Sequence, residues 1–248
     1  MKRSMSRVAQ YLVGTAVLLA LWQVSGQRKL FGPAWPPLSK VLSDLAGSGR
    51  QPIVSALHAT GVSAAEGLLI GVCAGLGMAV LHQVVYFTRP GLDRASAALH
   101  AMPGIGIAPV LVLVLGRSTA PAAVAAIGSV FPVYVTVTAA LDGVEAAHSD
   151  LFKVLGGDRW QRLWRLQLPT AGPGLLDALR LAAPAAVLGA VLGEWFGAPR
   201  GLGIVILSSS QNYQIVQMWA AALATTLLCL AAFAAASGLQ VAATRRLT

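Results

Sequence analysis

"SDLFKVLGGDRWQRLWRLQLPTAGPG", residues 149–174, interrupts an otherwise apolar chain with arginines, aromatic residues, a glycine pair and a Leu-Pro step. Asp150 to Leu155 can form a short helix with Leu151, Phe152 and Leu155 on one side. Gly156-Gly157 is a natural stop, because glycine enters the left-handed region without a Cβ penalty. Asp158 can then cap a second helix. Along it Trp160, Leu163, Trp164 and Leu166 make an apolar stripe, while Arg159, Arg162 and Arg165 recur every three residues on another face. Leu168-Pro169 is predicted to end this helix, since proline disfavours the helical region for the residue before it. Pro173 suits the first turn of whatever helix follows. The segment therefore reads as helix, glycine corner, helix, proline stop. An interfacial helix resting on anionic lipid would account for the tryptophans and arginines. It would not account for the corner and the stop.

Outside this segment the chain has too little charge for a soluble globule. Of its 248 residues 56% are hydrophobic and 11% charged, against about 25% charged in soluble domains. The intervals Arg7 to Arg28, Glu66 to Arg89, Arg94 to Arg117 and Arg117 to Asp142 each hold about the 20 apolar residues that cross a bilayer as helix. Arg200 to Arg245 holds enough for a span and an additional shorter segment. The expected class is an all-α integral membrane protein. A net charge of +9 would suggest nucleic acid in a soluble protein. Here the charges sit in loops and at termini, where they orient helices, and no nucleic-acid partner is expected. Cys73 and Cys229 lie in separate apolar segments and read as small hydrophobes, with neither disulfide nor metal spacing. Lys2, Arg3 and Arg7 precede an apolar run without a convincing small-x-small cleavage site, so an uncleaved anchor is expected rather than a signal peptide.

Residues 1–248 are read as one transmembrane domain with six spans, at about 8–25, 61–81, 97–116, 119–141, 175–195 and 217–239. An even number places both termini on one side. With that side cytoplasmic, the inner segments hold Lys2, Arg3, Arg7, Arg89, Arg94, Lys153, Arg159, Arg162, Arg165, Arg180, Arg245 and Arg246, twelve in all. The outer segments hold six: Arg28, Lys29, Lys40, Arg50, Arg117 and Arg200. The excess follows the positive-inside rule and puts the opening segment in the cytoplasm. Residues 26–60 form an external connection with Pro33, Pro36 and Pro37, followed by "LSKVLSDLAG". There Leu38, Val41, Leu42 and Leu45 share one helical face, as in an amphipathic loop helix. Gly67, Gly71 and Gly75, at four-residue steps, predict a groove for close helix approach. Pro103, Pro109 and Pro132 interrupt the third and fourth spans, which neighbouring helices can tolerate.

A short helix, a Gly and, thirteen residues on, a Pro preceded by Leu resembles the coupling loop of permease subunits in ATP-binding-cassette importers. In that family the motif opens Glu-Ala-Ala, six residues before the Gly. The literal Glu145-Ala146-Ala147 lies eleven residues before Gly156, so the matching positions are Asp150, Leu151 and Phe152. Asp150 keeps the acidic charge; Leu and Phe replace the two alanines. "PGIGIAPVLVLVLG", residues 103–116, is similar to the Pro-x-x-Ala-x-x-Pro run closing in Phe-Gly of the nitrate/sulfonate/taurine branch, with Gly106 and Leu115 substituted. "LGEWFGAPRGLGIVI", residues 192–206, and the Pro-rich "GPAWPPLSKVLSDLAGSG", residues 32–49, are similar to further segments of that branch. Ser63 stands where the branch usually has a basic residue. The likeness runs over residues 30 to 246.

This resemblance implies a six-helix type I importer permease fold with cytoplasmic coupling helices in loop 145–172. It implies a multi-pass subunit of the bacterial cytoplasmic membrane, working as a homodimer with two ATPase subunits. A periplasmic or lipid-anchored solute-binding protein would deliver a small anion such as a sulfonate, taurine or nitrate. Leu151, Phe152 and Trp160 would be apolar knobs in a cleft of the ATPase; Asp150, Lys153, Arg159 and Arg162 would meet rim charges, and Gly156, Gly157 and Pro169 would set the shape. No Lys follows a Gly anywhere, so the chain has no phosphate-cradling P-loop. It is expected to be no enzyme and to carry no cofactor. Glu66 and Glu194 are ionisable groups in or beside spans and so are candidate pathway residues. Ser208 to Gln214 is polar and reads as an external turn. His58, His82, His100 and His148 share no ligand spacing. The alternative is a secondary transporter or channel that uses Glu66 or Glu194 without an ATPase.

Overall fold

The computed structural model describes residues 2–47, 49–143, 154 and 158–247. Every regular element among them is helical. In order these are α1 (Lys2–Gln27), α2 (Leu38–Ala46), α3 (Arg50–Val84), a 3-10 turn (Tyr86–Thr88), α4 (Arg89–Ala101), α5 (Gly104–Leu115) and α6 (Ala120–Asp142). They continue as α7 (Arg159–Arg162), a π-turn (Leu163–Gln167), α8 (Leu168–Glu194), α9 (Leu202–Gln211) and α10 (Ile215–Leu247).

The glycine groove is present and sets the centre of the bundle. A Cβ on Gly67, Gly71 or Gly75 would run into Ala125, Ser129 and Val133 respectively, so α3 lies along α6 in the same direction at backbone contact. On the other flank α8 runs antiparallel to α6, with Gly189 against Ala125, Gly193 against Pro121 and Gly174 against Ala140. α6 is thus clasped on both sides. Its core is built mostly from Ala and Val: Ala125, Ala186, Val187 and Ala190 in the middle, and Ala79, Val133, Val137, Ala178 and Ala182 towards the end of α6. Lipid offers no hydrophobic gain for burying such residues, so close approach and dispersion hold these helices.

Helices α3, α6 and α10, and the stretch Trp160–Glu194, are long and apolar enough to cross a membrane. α1 is 26 residues long, about 39 Å at 1.5 Å per residue. Its Leu12, Val13, Leu18 and Leu21 are exposed, as befits a lipid-facing helix. α10 runs antiparallel to α8, which places its start beside α2 and the start of α3, where Val41, Ile53, Ala56, Leu202 and Ala220 form a small core. The amphipathic loop helix is α2, and Val41 is the residue that anchors it there.

The third span, residues 97–116, interrupted at Pro103, is not straight: α4 and α5 meet at a 94° bend. Met102 and Pro103 both take extended backbone (ψ 121° and 113°), because Pro103 excludes the helical region for Met102 and offers no N–H to continue the ladder. Nor does Leu168-Pro169 stop a helix. Leu168 is helical (φ −62°, ψ −45°) and its N–H bonds to the Leu163 carbonyl, five residues back. This wider turn opens the backbone where the Pro169 ring would otherwise strike a carbonyl four residues earlier. Trp160–Glu194 is consequently one 35-residue helix, and Pro173 lies inside it rather than at its start.

Candidate functional site: the polar end of the bundle

Helix α6 ends at Asp142 and α7 begins at Arg159. Asp150, Leu151, Phe152, Lys153, Gly156 and Gly157 lie outside the described residues; Asp158 onwards is described. Asp158 caps α7 as its type suggests, its Oδ1 accepting the Gln161 N–H at 2.7 Å, while Gln161 Oε1 accepts the Asp158 N–H at 3.4 Å. This reciprocal pair is a capping box. Downstream the predicted apolar stripe divides. Leu163 is fully buried in the core, whereas Trp160 and Trp164 are 51% and 63% exposed. Two indoles thus project from the end of a helix whose other face is fixed in the bundle. Arg162 is half-buried and Arg165 and Pro169 are exposed.

Sequence reading missed what fixes that face. Gln167, in the π-turn and 3% exposed, donates from Nε2 to the Leu141 carbonyl at 3.1 Å and to Gln83 Oε1 at 3.4 Å. Gln83 in turn donates to Asp142 Oδ1 at 2.7 Å. Two buried amides therefore tie the π-turn to the ends of α3 and α6. Beside them Tyr134 donates its hydroxyl proton to Asp93 Oδ1 at 2.6 Å. That hydroxyl lies 2.8 Å from His82 Nδ1, so the ring nitrogen must be the donor there. Arg89 Nε donates to the His82 carbonyl at 2.9 Å, joining α4 to α3. A signal existed, since Gln83, Tyr134 and Gln167 are polar residues within apolar stretches. Their partners are 26 to 84 residues away, beyond any local periodicity.

The two acidic candidates are not brought together. Glu66 is exposed, in the seventeenth position of the 35-residue α3. Glu194 is 1% exposed and its Oε2 accepts the Gly203 N–H at 2.7 Å. Nearby the Leu202 N–H bonds to Thr60 Oγ1 at 2.8 Å. Gly201, at φ +141°, passes so close that its Cβ would coincide with the Glu194 carboxylate. The carboxylate thus holds the start of α9. Gly201→Ala is expected to cost about 3 kcal/mol or more through strain and overlap. Glu194→Gln keeps an oxygen for Gly203 and should leave folding intact. Thermal unfolding of the detergent-solubilised chain measures both. The two charges near the start of the fifth predicted span are matched within the bundle. Asp177 and Arg180 lie 3.6 Å apart, and Gln240 on α10 donates to Asp177 Oδ1 at 3.0 Å. Of the polar run, Ser209 is buried and Tyr213, at φ +56°, turns the chain into α10. Among the described residues no group of three His, Cys, Asp or Glu could hold a metal.

The architecture is a glycine-packed helical bundle with a bent span and a capped, indole-bearing helix end. One chain of the MetNI methionine ABC transporter, solved in inward-facing conformations, shares this fold with a TM-score of 0.62 at 20% identity, covering 77% of the present chain and 94% of its own. The chain belongs to the family of binding-protein-dependent transport system inner membrane components, whose model matches residues 68–248. Among curated relatives, the formylaminopyrimidine transport permease protein of Halalkalibacterium halodurans is 33% identical over 139 residues, 54% of this chain and 56% of its own length. An ABC transporter permease protein of Haemophilus influenzae is 31% identical over 88% of this chain and 89% of its own. The taurine transport system permease protein of Escherichia coli is 27% identical over 84% and 78%. The chain is a multi-pass inner-membrane permease subunit of an ATP-driven importer, of the nitrate/sulfonate/taurine branch.

Proposed function

We propose that the segment around residues 150–169 seats in a cleft of a separate ATPase subunit and drives the bundle through α8. The observation that carries this reading is the continuity of Trp160–Glu194, because a helix end cannot rotate without moving the helix it belongs to. Gln167 adds a second route, into α3 and α6. Asp150, Leu151, Phe152 and Lys153 would complete the docking element ahead of the Gly156-Gly157 corner. ATP is hydrolysed on the partner chain and this chain carries no cofactor. Two copies form the pathway, with the ends of α6 and α10 and both termini on the cytoplasmic side. A periplasmic or lipid-anchored binding protein docks on the α2 side.

The cargo is a small sulfonate-, taurine- or nitrate-like solute, as names within the branch suggest. A formylaminopyrimidine is the second reading, favoured by the relative of that name. Glu66 lines the pathway, since an ionisable group exposed at membrane depth needs water or a partner. Glu194, buried and bonded, is assigned to structure. Gln167→Leu leaves the Leu141 carbonyl and Gln83 without their donor, at about 1–3 kcal/mol. It is expected to lower ATP-driven uptake in proteoliposomes several-fold while basal hydrolysis by the associated ATPase persists. Equal loss of both activities would contradict the proposed linkage. Glu194→Gln should transport normally; loss of uptake in a folded Glu194→Gln chain would instead favour an ion-coupled transporter.

A further inference from the structure

At the end of the bundle opposite the polar site, three tryptophans enclose the corner where α1 turns into the external connection. Trp22 Nε1 donates to the Pro36 carbonyl at 3.1 Å, Trp35 Nε1 to Ser25 Oγ at 3.0 Å and Trp219 Nε1 to the Ala34 carbonyl at 2.9 Å. Trp35 and Trp219 meet edge to face with centroids 4.7 Å apart, and Trp22 lies tilted against Trp219 at 5.4 Å. With every indole N–H taken, the cluster presents only apolar ring surface. On one side of Trp35 lies a groove of about 530 Å³, completed by Leu18, Leu21, Leu30 and Phe31. It continues the exposed apolar face of α1, and Leu30 and Phe31 are themselves 65% and 70% exposed. On the other side lies a cavity of about 440 Å³ walled by Lys29, Lys40, Pro33, Pro36 and Pro37. Neither ammonium has an ion-pair partner among the described residues.

An apolar groove and an unneutralised basic cavity, separated by one aromatic ring at the water-facing end of a lipid-exposed helix, match an amphiphile. We propose that this corner binds one anionic phospholipid, its phosphate between Lys29 and Lys40 and an acyl chain along Leu18, Leu21 and Phe31. The charge complementarity selects lipid over a second copy of the chain, whose own corner carries the same two lysines. Such a lipid would pin α1 and the external connection to α10, since the site draws on all three. The inference rests on α1 lying in the membrane and not on the ATPase reading. Uptake assays test one and lipid binding tests the other.

The test is native mass spectrometry of the purified transporter complex titrated with phosphatidylglycerol or phosphatidylcholine. One phosphatidylglycerol per chain is expected to bind in clear preference to phosphatidylcholine. Lys29→Ala with Lys40→Ala should weaken phosphatidylglycerol binding by about thirtyfold, at roughly tenfold or less per surface cation, and leave phosphatidylcholine binding unchanged. Phe31→Ala should weaken both lipids alike. Both variants change exposed side chains, and an unaltered size-exclusion profile confirms that each is folded. Equal affinity for the two lipids, or a double lysine variant that keeps its preference, would overturn the proposal. So would a variant with normal lipid binding but lost affinity for the binding protein, which would make the corner a protein-docking surface.

Discussion

Phe152→Glu is expected to abolish ATP-driven uptake, by a hundredfold or more, while the chain remains in the membrane at normal levels. Under the proposed docking, the side chain is a knob in an apolar cleft of the ATPase. A carboxylate forced into such a cleft without a partner costs several kcal/mol, and about 3 kcal/mol already exceeds a hundredfold in affinity. The ATPase subunit should therefore fail to co-purify. Phe152→Leu keeps an apolar knob and should retain at least a large fraction of transport. The contrast separates docking from folding, because Phe152→Leu keeps an apolar side chain of similar reach at the same position. Uptake into proteoliposomes and ATPase retention on an affinity column, measured on the same preparations, check both halves.

Gly189→Leu should strongly destabilise the bundle. Ala125 on α6 is contacted from two sides: a Cβ on Gly67 would strike its side chain, and one on Gly189 would lie 2.7 Å from its Cα. Helix α6 therefore cannot retreat from a larger residue on α8 without colliding with α3. Interiors this dense transmit strain rather than absorb it. Overpacking commonly costs about 1–3 kcal/mol, and a position with no direction of relief belongs above that range. The melting temperature in detergent should fall by 10 °C or more. Gly77→Leu is the control on α3, where nothing lies within 4 Å of the added Cβ, and it should unfold like the parent. Similar losses in both variants would mean that glycine packing is not what holds α6.

The sequence carried more of the fold than of its internal wiring. The Gly67, Gly71 and Gly75 steps announced their groove because helical spacing is local, and Asp158 announced its cap because its partner is three residues away. The α2 face and the short apolar segment that became α9 were legible for the same reason. The elbow at Met102-Pro103 was half legible: the proline was noted, but whether it bends or ends a span depends on how α6 and α8 receive α5. At Pro169 the local pattern points the other way, to a stop that the structure does not have. The proline's missing N–H and bulky ring are absorbed by a π-turn that tertiary packing stabilises, with Leu163 and Gln167 both buried. Glu194 was noticed as a charge, yet its role depends on Gly201 and Gly203 folding back over it. The Gln83, Asp142 and Gln167 tie could not be read at all from local pattern, for it joins three helices across up to 84 residues.

The central claim is that the capped helix end meets an ATPase and moves α8 with it. A single cysteine at position 160, in an otherwise cysteine-free chain with Cys73→Ser and Cys229→Ser, tests this most directly when paired with cysteines around the ATPase cleft. Trp160 is exposed and stands two residues past the cap, so a short crosslinker should join the two subunits. The yield should change when ATP is trapped, and uptake should stop once the link forms. A position 160 that never reaches the ATPase, and that quenches with spin-labelled lipid in an actively transporting complex, would contradict the account.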